Sequence, residues 1–330
     1  MRIAINGFGR IGRKAMRLAI ERGLDVVAIN SLSPVETDAH LLRYDSVHGP
    51  WKETVEVKGH EMFIRGKKIH IAEERDPAKL PWKEWGIDVV LECTGAFTDR
   101  EKAAAHLTAG AKKVIISAPS KDADANICIG INEEAYDGSK HHVISNASCT
   151  TNALAPVAKV LNDSYGIVKG VMTTIHSYTN DQNVLDLPHK DPRRARAAAI
   201  NMIPTSTGAA KAIGLVLPTL KGKLDGLAIR VPTPNVSLVD LTVELAKPAS
   251  KEEVNKVMKA AADGAMKKIF RYSAEPLVST DFNGDTHSSI FDSELTMANG
   301  NMVKVMTWYD NESGYSARLL DLAVLVGKGL

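Results

Sequence analysis

The sequence predicts a doubly wound α/β domain followed by an α+β domain whose sheet is mostly antiparallel. The chain has 330 residues, which is more than one hydrophobic core usually supports, so two domains are expected. Its first half alternates short apolar strands with amphipathic helices, the pattern of a parallel sheet covered on both faces. After residue 149 the strands are longer and alternate apolar with polar residues, which indicates a sheet with one buried face. We place the first domain at residues 1–148 plus 312–330 and the second at residues 149–311.

The composition excludes several classes of protein. Hydrophobic residues make up 44% of the chain and charged residues 24%, which rules out disordered and collagen-like classes. A net charge of +2 gives no general attraction to nucleic acid or to a membrane surface. No apolar run approaches the roughly 20 residues of a spanning helix, and the N-terminus lacks the apolar core of a signal peptide. Three cysteines are too few for a disulfide framework, so we expect a cytoplasmic protein.

The N-terminal strand–helix–strand unit carries a glycine motif. Residues 3–5 form a short strand, residues 6–12 contain G-x-G-x-x-G, and a stripe of apolar residues at helical spacing follows. A second strand at residues 25–29 completes the unit. In this setting the glycines let the backbone approach a pyrophosphate at the helix N-terminus. The first domain is therefore predicted to be a dinucleotide-binding Rossmann domain whose phosphate loop contains Gly7, Gly9 and Gly12.

Further elements are predicted on either side of the domain boundary. Apolar runs at residues 89–93 and 114–117 predict parallel strands, with a helix at residues 101–109 between them. Residues 250–253 read Ser-Lys-Glu-Glu, a capping box that opens a helix. Apolar residues between positions 315 and 326 at helical spacing predict a last helix that returns to cover the first domain.

One part of the dinucleotide fingerprint is missing. An Asp or Glu near the end of the second strand normally binds the ribose hydroxyls of the cofactor. Here residues 30–33 read Asn-Ser-Leu-Ser, and the first carboxylate after them is Glu36. Either Glu36 or a neighbouring group takes this role, or the discrimination against a 2′-phosphate is relaxed. The sequence leaves both NAD and NADP open as cofactors.

One cysteine stands where a reactive thiolate is favoured. Cys149 follows a predicted strand and precedes apolar residues at positions 154, 157, 158 and 161, so it lies at a helix N-terminus. Free N–H groups and the helix dipole favour an anion there, which predicts a lowered thiol pKa. The alternative is a small buried side chain, the usual role of a free cysteine. Cys93 and Cys128 lie in apolar runs and are expected to be inert packing residues.

Several residues of the second half are candidate partners of Cys149. His176 ends a predicted strand and precedes a polar stretch, so it is a candidate base, although a lone histidine is more often structural. Arg230 ends another strand, and residues 205–208 combine hydroxyls with a glycine. A guanidinium and exposed backbone N–H groups both suit a phosphate. The adjacent pair His141 and His142 lacks the spacing of metal ligands, so no metal site is predicted.

Six segments together resemble the phosphorylating glyceraldehyde-3-phosphate dehydrogenases, and the likeness covers essentially the whole chain. They are residues 5–13, 43–49, 147–152, 176–182, 188–191 and 309–312. The resemblance implies that Cys149 is the nucleophile and that His176 is its base. It implies that the substrate phosphate is bound by Thr179, Asp181 and Arg230. It implies that inorganic phosphate is held by Ser148, Thr150, Arg194, Thr207 and Gly208.

The same resemblance implies a cofactor site and an assembly. Ser31 stands where NAD-preferring members carry Asp, whereas Leu187 and Pro188 match the NAD-preferring pattern. The segment from residue 177 to about 201 resembles the family's long subunit-contact loop, which implies a homotetramer. Besides the glycine loop and Ser31, the implied cofactor contacts are Arg10, Ile11, Arg75, Ser117 and Asn311.

The implied reaction converts glyceraldehyde 3-phosphate, inorganic phosphate and NAD(P)+ to 1,3-bisphosphoglycerate and NAD(P)H through a thioester on Cys149, in glycolysis or gluconeogenesis. An alternative is an erythrose-4-phosphate dehydrogenase, whose relatives depart from the His-Ser-Tyr-Thr-Asn-Asp pattern of residues 176–181. A non-catalytic dinucleotide-binding protein is the alternative from a different class. In every case no nucleic-acid or membrane partner is expected.

Overall fold

The computed structural model describes residues 1–330, which form two compact units. Residues 1–129, 133–147 and 316–330 make up the first unit, and residues 130–132 and 148–315 make up the second. The domain limits predicted from the sequence fall close to these divisions. As limits between cofactor binding and catalysis they stay a prediction.

Eight α-helices alternate with the strands along the chain. They are α1 (Arg10–Glu21), α2 (Val35–Arg43), α3 (Arg100–Ala103), α4 (Ala105–Thr108), α5 (Cys149–Tyr165), α6 (Ala209–Val216), α7 (Lys251–Asp263) and α8 (Ser313–Gly327). None of the helices is long and apolar enough to cross a membrane.

The first unit is built on a nine-stranded sheet. Its strands are β1 (Arg2–Asn6), β2 (Asp25–Asn30), β3 (Val55–Lys58), β4 (Glu61–Ile64), β5 (Lys67–Ala72), β6 (Val89–Glu92), β7 (Lys113–Ile116), β8 (Ala125–Asn126) and β9 (Val143–Ser145). Their order is β3-β4-β5-β2-β1-β6-β7-β9-β8. At one end of the sheet β3 pairs antiparallel with β4 and β4 with β5, and the other neighbours pair in parallel. The sheet is mostly parallel, as a doubly wound domain requires.

Burial on both faces explains why the central strands are continuous apolar runs. β1 and β6 bury all their apolar side chains, because helices cover a parallel sheet on both sides. In α8, Leu319 and Leu322 are fully buried in the same core as Ile3 and Ile5. The predicted return of the last helix to the first unit is therefore confirmed.

The second unit is built on a seven-stranded sheet. Its strands are β10 (Ile167–Ser177), β11 (Ile203–Ser206), β12 (Leu224–Val231), β13 (Ser237–Leu245), β14 (Phe270–Ser273), β15 (Ser289–Asn299) and β16 (Met302–Tyr309). Their order is β11-β12-β10-β13-β16-β15-β14, and only the β10–β12 and β14–β15 pairs are parallel. From Val239 to Leu245 in β13 the apolar side chains are buried while the polar side chains between them are partly or fully exposed. The predicted fold class is confirmed for both units.

Two local predictions have different outcomes. The capping box is confirmed: Ser250 Oγ accepts from the Glu253 amide at 3.2 Å, and the Ser250 amide donates to Glu253 Oε2 at 2.8 Å. The single helix predicted over residues 101–109 is wrong, since α3 and α4 are separate helices. The chain between them forms a 3₁₀-type turn, because the Leu107 amide donates to the carbonyl of Ala104, only three residues back, at 2.9 Å.

Candidate active site

Cys149 is the first residue of α5. The helix begins there because Ser148 caps it, with Ser148 Oγ accepting from the Thr151 amide at 2.9 Å. Ala147 has a φ of 54°, a left-handed conformation that turns the chain sharply from β9 into the helix. The predicted position of Cys149 at a helix N-terminus is confirmed. Its thiol is partly buried beside backbone N–H groups that the helix leaves free.

His176 faces Cys149 with one defined ring nitrogen. Its Nε2 lies 3.6 Å from Cys149 Sγ. Its Nδ1 lies 2.7 Å from the carbonyl oxygen of Ser177, which can only accept a hydrogen bond, so Nδ1 carries the proton. In the neutral ring Nε2 is therefore a proton acceptor aimed at the thiol. The contact between these two residues, which their spacing in the sequence did not establish, is present.

Arg230 lies on the strand next to His176. Parallel pairing of β10 with β12 sets the two residues opposite each other. One terminal nitrogen of the Arg230 guanidinium donates to Ser177 O at 3.1 Å and to Thr179 Oγ1 at 3.1 Å. The Ser177 carbonyl thus accepts from both His176 and Arg230. The Nε atom of Arg230 is buried without a hydrogen-bond partner, which leaves a charged donor for a ligand.

Burial dominates the acid–base chemistry of the cysteine and the histidine. It raises the pKa of the Cys149 thiol above its ordinary value, and the positive charge of Arg230 and hydrogen bonds with Thr150 offset part of that rise. Burial and the charge of Arg230 lower the pKa of His176 to about 3. The lowered thiol pKa predicted from the helix N-terminus is therefore wrong for this geometry, because a thiolate loses more hydration than the nearby donors return. Both shifts favour the uncharged forms, a thiol on Cys149 and a neutral imidazole on His176.

A buried tyrosine fixes the first turn of α5. Tyr309, at the end of β16, places its hydroxyl 2.8 Å from Thr150 Oγ1 and 2.9 Å from Thr174 Oγ1. Its ring meets the His176 ring edge-on, with centroids 6.0 Å apart. The hydroxyls of Thr150 and Ser148, both predicted to hold inorganic phosphate, are thus engaged within the protein. Sequence reasoning missed Tyr309, although its position at the end of an apolar strand was a signal.

The remaining anion-binding candidates form a second network around Arg194. Its guanidinium donates to Asp181, to Thr205 Oγ1 at 2.9 Å and to Ser206 O at 3.1 Å. Asp181 has a lowered pKa because its hydrogen bonds to Arg194 and His189 outweigh its burial. The positive charge of Arg194 also lowers the pKa values of His176 and Arg230, so the two networks adjoin.

Three residues predicted to bind the substrate phosphate are therefore divided between these networks. Thr179 is bonded to Arg230, whereas Asp181 is bonded to Arg194. Thr207 and Gly208 follow the strand that Arg194 anchors and lead into α6. Thr207 Oγ1 accepts from the amide of Ala209 at 3.2 Å, and Gly208 has open space at its Cβ position. No described hydrogen bond joins either residue to Cys149.

Asn311 lies just beyond the end of β16 with a fixed amide orientation. Its Oδ1 accepts from Ser177 Oγ at 2.8 Å and from Ser237 Oγ at 2.9 Å. These two bonds identify the oxygen side of the amide and leave Nδ2 as a donor. Sequence reasoning missed the part of Ser177 and Ser237 in setting this orientation, because it depends on contacts between distant strands.

In the first unit, the three glycines of the loop have distinct roles. Gly7 has a φ of 92°, and a Cβ there would lie 2.6 Å from the amide nitrogen of Thr94. A Cβ on Gly12 would lie 2.2 Å from the Gly7 carbonyl oxygen, so that position packs helix against loop. Gly9, the N-cap of α1, has nothing within 4 Å and no side-chain cap on its helix. The structure thus presents open space at the N-terminus of α1, where a pyrophosphate would bind.

The other predicted cofactor residues of this unit lie at the carboxyl ends of the parallel strands. The guanidinium of Arg10 donates to the Asp45 carboxylate at 2.7 and 3.1 Å, and Arg10 and Ile11 are the first two residues of α1. Ser31 follows β2 and Ser117 follows β7. Arg75 is exposed beyond β5.

Comparison with known proteins decides the family. Residues 1–100 match the family model described as "Glyceraldehyde 3-phosphate dehydrogenase, NAD binding domain", and residues 148–311 match the model of its C-terminal domain. The chain is 60% identical to "Glyceraldehyde-3-phosphate dehydrogenase" of Geobacillus stearothermophilus and 61% identical to that of Priestia megaterium, in each case over 100% of this chain and 99% of the relative. The chain belongs to the glyceraldehyde-3-phosphate dehydrogenase family.

This membership confirms the resemblance inferred from the six segments. The protein is an oxidoreductase by family, and its first 100 residues belong to a domain type that binds NAD. A similar protein from Streptomyces coelicolor carries the same name at 55% identity over 100% of this chain. The individual site residues stay predictions.

Proposed function

We propose that the protein is a phosphorylating glyceraldehyde-3-phosphate dehydrogenase of glycolysis. The observation that carries the proposal is the pair formed by Cys149 Sγ and His176 Nε2, 3.6 Å apart beside a partly buried arginine. The non-catalytic alternative gives no reason for a thiol, an oriented base and unpartnered guanidinium nitrogen to meet in one place. Glyceraldehyde 3-phosphate and inorganic phosphate are the proposed substrates.

The first unit fits a dinucleotide. Gly9 leaves room at the N-terminus of α1, and the amides of Arg10 and Ile11 are the donors proposed for the pyrophosphate. When bound, NAD or NADP supplies the hydride acceptor that turns a hemithioacetal on Cys149 into a thioester. Ser31, Arg75, Ser117 and the Nδ2 atom of Asn311 are proposed further contacts.

Cys149 and His176 carry the covalent chemistry in this proposal. As the Cys149 sulfur bonds to the aldehyde carbon, its proton moves to His176 Nε2, which is the only free acceptor of the ring. The backbone N–H of Cys149 and the protonated His176 then stabilise the oxyanion, and His176 returns the proton to give the hemithioacetal. His176 accepts that hydroxyl proton again at the oxidation step. Attack of inorganic phosphate on the thioester finally releases the acyl phosphate and restores the sulfur.

The two arginine networks are proposed to hold the two phosphates. Arg230, with its unpartnered Nε, and Thr179 are assigned to the phosphate of the substrate, together with Asp181 as a partner that orients Arg194. Inorganic phosphate is assigned to Arg194 and to the backbone and hydroxyl groups of Ser148, Thr150, Thr207 and Gly208. Guanidinium groups suit both roles, since they pair with phosphate through two parallel hydrogen bonds.

An assembly of four copies is also proposed. The second unit exposes several large apolar side chains on the segment between β10 and β11 and on β10 and β12, which is more than an isolated monomer usually shows. They are Val171, Val184, Leu185, Leu187, Ile200, Met202 and Leu227. A homotetramer that buries them fits these exposures. The three cysteines are free thiols, which suits the proposed cytoplasmic location.

Steady-state kinetics tests the proposed reaction. NADH formation is measured with glyceraldehyde 3-phosphate and with erythrose 4-phosphate, each with and without inorganic phosphate. The proposal expects phosphate-dependent turnover, higher kcat/KM for the three-carbon aldehyde, and loss of turnover in Cys149→Ser. Equal turnover without phosphate contradicts a phosphorylating enzyme. A higher kcat/KM for erythrose 4-phosphate assigns the protein to the four-carbon substrate instead.

A further inference from the structure

A buried carboxylate lies at the edge of the first sheet where the glycine loop begins. Glu92 is the last residue of β6, and parallel pairing sets it opposite Asn6, the last residue of β1. Glu92 is 1% exposed, and the covalent chemistry proposed above does not use it. The chain leaves β1 toward β2 on one side and later adds β6 on the other side. In an open α/β sheet, ligands bind outside the carboxyl ends of the strands at such a point.

Glu92 accepts hydrogen bonds at both of its carboxylate oxygens. Its Oε1 accepts from the backbone amide of Thr94 at 2.8 Å and from the Thr94 hydroxyl. Its Oε2 accepts from Asn6 Nδ2 and lies 3.0 Å from His106 Nε2. An ionised carboxylate is an acceptor only, with about four lone-pair sites. The buried carboxylate therefore has a partner for each site, and each partner belongs to the protein.

A tryptophan fixes the direction of the hydrogen bond between His106 and Glu92. The indole nitrogen of Trp82 can only donate, and it lies 2.9 Å from His106 Nδ1. The Nδ1 atom is therefore the acceptor of the ring, and the ring proton lies on Nε2. His106 is fully buried, and it donates this proton to Glu92 Oε2.

A backbone amide fixes the direction of the hydrogen bonds on the other side of Glu92. The amide of Glu74 donates to Asn30 Oδ1 at 2.9 Å, so the other side-chain atom of Asn30 is the nitrogen. Asn30 Nδ2 in turn donates to Asn6 Oδ1 at 2.6 Å. This leaves Asn6 Nδ2 as the donor toward Glu92. Every hydrogen bond of the network thus runs toward the carboxylate of Glu92.

The network holds the two backbone segments that meet at Gly7. The Cys93 amide donates to Asn6 O at 2.7 Å, directly before the glycine. A Cβ on Gly7 would lie 2.6 Å from the amide nitrogen of Thr94, so the two backbones are in contact. One carboxylate, that of Glu92, binds the side chain of Asn6 on one segment and the amide and hydroxyl of Thr94 on the other.

We infer that Glu92 is a positioning residue for the dinucleotide, holding the backbone around Gly7 in the shape that receives the pyrophosphate; the inference rests on the proposed dinucleotide-binding function. A loop already held in its bound shape loses less conformational freedom on binding, so its affinity for the ligand is higher. Glu92→Gln preserves the size of the side chain but turns an NH2 group toward donors. The contacts with Thr94 and Asn6 cannot then all be satisfied.

A double substitution should restore the network with its carboxylate moved. In Asn6→Asp/Glu92→Gln the new amide can donate to the new carboxylate, which still accepts from Asn30. His106 Nε2 lies 3.3 Å from Asn6 Nδ2, so a carboxylate at position 6 is within its reach. The double variant retains the charge of the wild-type protein and again gives each donor an acceptor.

A buried lysine of the same sheet supplies the matched control. Lys113 is 3% exposed, and its Nζ donates to the carbonyl oxygens of Gly138 and His141 at 2.6 and 2.7 Å. As the first residue of β7 it lies at the amino edge of the parallel strands, opposite the glycine loop. Lys113→Met therefore disrupts a buried polar network of the first unit that does not touch the loop.

Calorimetry gives dissociation constants for NAD+ and NADP+, and thermal unfolding gives melting temperatures, for wild type and the three variants. We expect Glu92→Gln to raise both constants about tenfold or more and by the same factor, because the pyrophosphate is common to both cofactors. The double variant should return them to within about threefold of wild type, and Lys113→Met should lower the melting temperature while changing them less than about twofold. KM for glyceraldehyde 3-phosphate should be unchanged in Glu92→Gln, since Cys149 and Arg230 belong to the other unit.

The outcomes separate the inference from the proposed function. Unchanged affinity in a folded Glu92→Gln protein overturns the role of Glu92 alone. An equal loss of affinity in Lys113→Met also overturns it, because general destabilisation then explains both. If Glu92→Gln does not fold, the double variant decides: failure to fold, or binding about tenfold weaker than wild type, overturns the inference. A wild-type protein that binds neither NAD+ nor NADP+ overturns the dinucleotide-binding function itself.

Discussion

The orientation of His176 is the residue-scale feature on which the chemistry depends. Because Ser177 O holds the proton on Nδ1, only Nε2 can receive the thiol proton. His176→Asn removes that acceptor, and loss of a general base typically lowers rate by about 10²–10⁴-fold. We expect kcat/KM to fall in this range with the melting temperature preserved. Steady-state kinetics together with thermal unfolding measures both. A fall of less than fivefold would show that another group accepts the proton.

The charge of Arg230 should lower the pKa of the Cys149 thiol and so shift the pH dependence of its reactivity. Its positive charge lowers the pKa of Cys149, so removing the charge must raise that pKa and decrease the thiolate fraction at any pH below it. We expect the midpoint of the iodoacetamide alkylation rate to move to higher pH in Arg230→Gln and to move less in Arg230→Lys. The pH profile of alkylation under pseudo-first-order conditions measures it. A midpoint that moves to lower pH in Arg230→Gln contradicts the electrostatic account.

The two phosphate roles can be separated by a pair of variants. Arg230→Lys should raise KM for glyceraldehyde 3-phosphate, since a charged hydrogen bond contributes roughly 1.5–3 kcal/mol. Thr207→Ala should instead slow release of the acyl group by inorganic phosphate and leave the first oxidation nearly unchanged. Rapid-mixing measurements of the NADH burst and the steady state resolve these steps. Equal loss in both phases for Thr207→Ala would contradict the division.

At the scale of elements, two substitutions in the glycine loop separate an effect on stability from an effect on NAD binding. Gly12→Ala sets a Cβ 2.2 Å from the Gly7 carbonyl, and overpacking of this kind costs about 1–3 kcal/mol or more. Gly9→Ala adds a Cβ in open space, so the fold should persist while the ligand loses room. We expect a lower melting temperature for Gly12→Ala and weakened NAD binding with a near-normal melting temperature for Gly9→Ala. Normal NAD affinity in Gly9→Ala would place the pyrophosphate elsewhere.

Elements with strong periodicity were predictable, and elements that depend on tertiary contacts were not. The strand–turn–helix around Gly7, the capping box at Ser250 and the helix N-terminus at Cys149 all follow from local patterns. The strands β3, β4 and β5 and helix α2 gave no comparable signal, because each is brief. The pKa of Cys149 was mispredicted because burial depends on what surrounds α5, which no local pattern contains.

The same limit applies to the site as a whole. Cys149, His176 and Arg230 could each be singled out from the sequence as a plausible chemical group at the end of an element. Their meeting depends on the parallel pairing of β10 with β12 and on the position of α5, both long-range features. Tyr309 was missed for this reason, because it acts through a hydrogen bond to Thr150, which is distant in sequence.

At the scale of the whole molecule, the exposed apolar side chains predict assembly. Light scattering coupled to size exclusion should give a mass four times that of the chain. Leu185, which is 74% exposed, should lie in an interface, so Leu185→Asp should shift the protein to smaller species. Val324→Asp, at an apolar position on α8 with less exposure, is the control and should leave the mass unchanged. A monomeric wild-type protein contradicts the tetramer.

In the proposed mechanism Cys149 carries a thioester that only phosphate resolves. The most direct measurement mixes enzyme, NAD and glyceraldehyde 3-phosphate without phosphate, records NADH in a single turnover, and locates the acyl group by mass spectrometry of the acid-quenched protein. We expect a burst of about one NADH per chain, an adduct on Cys149, and loss of that adduct when phosphate is added. A burst with the acyl group on another residue, or NADH formation that persists in Cys149→Ser, would contradict it.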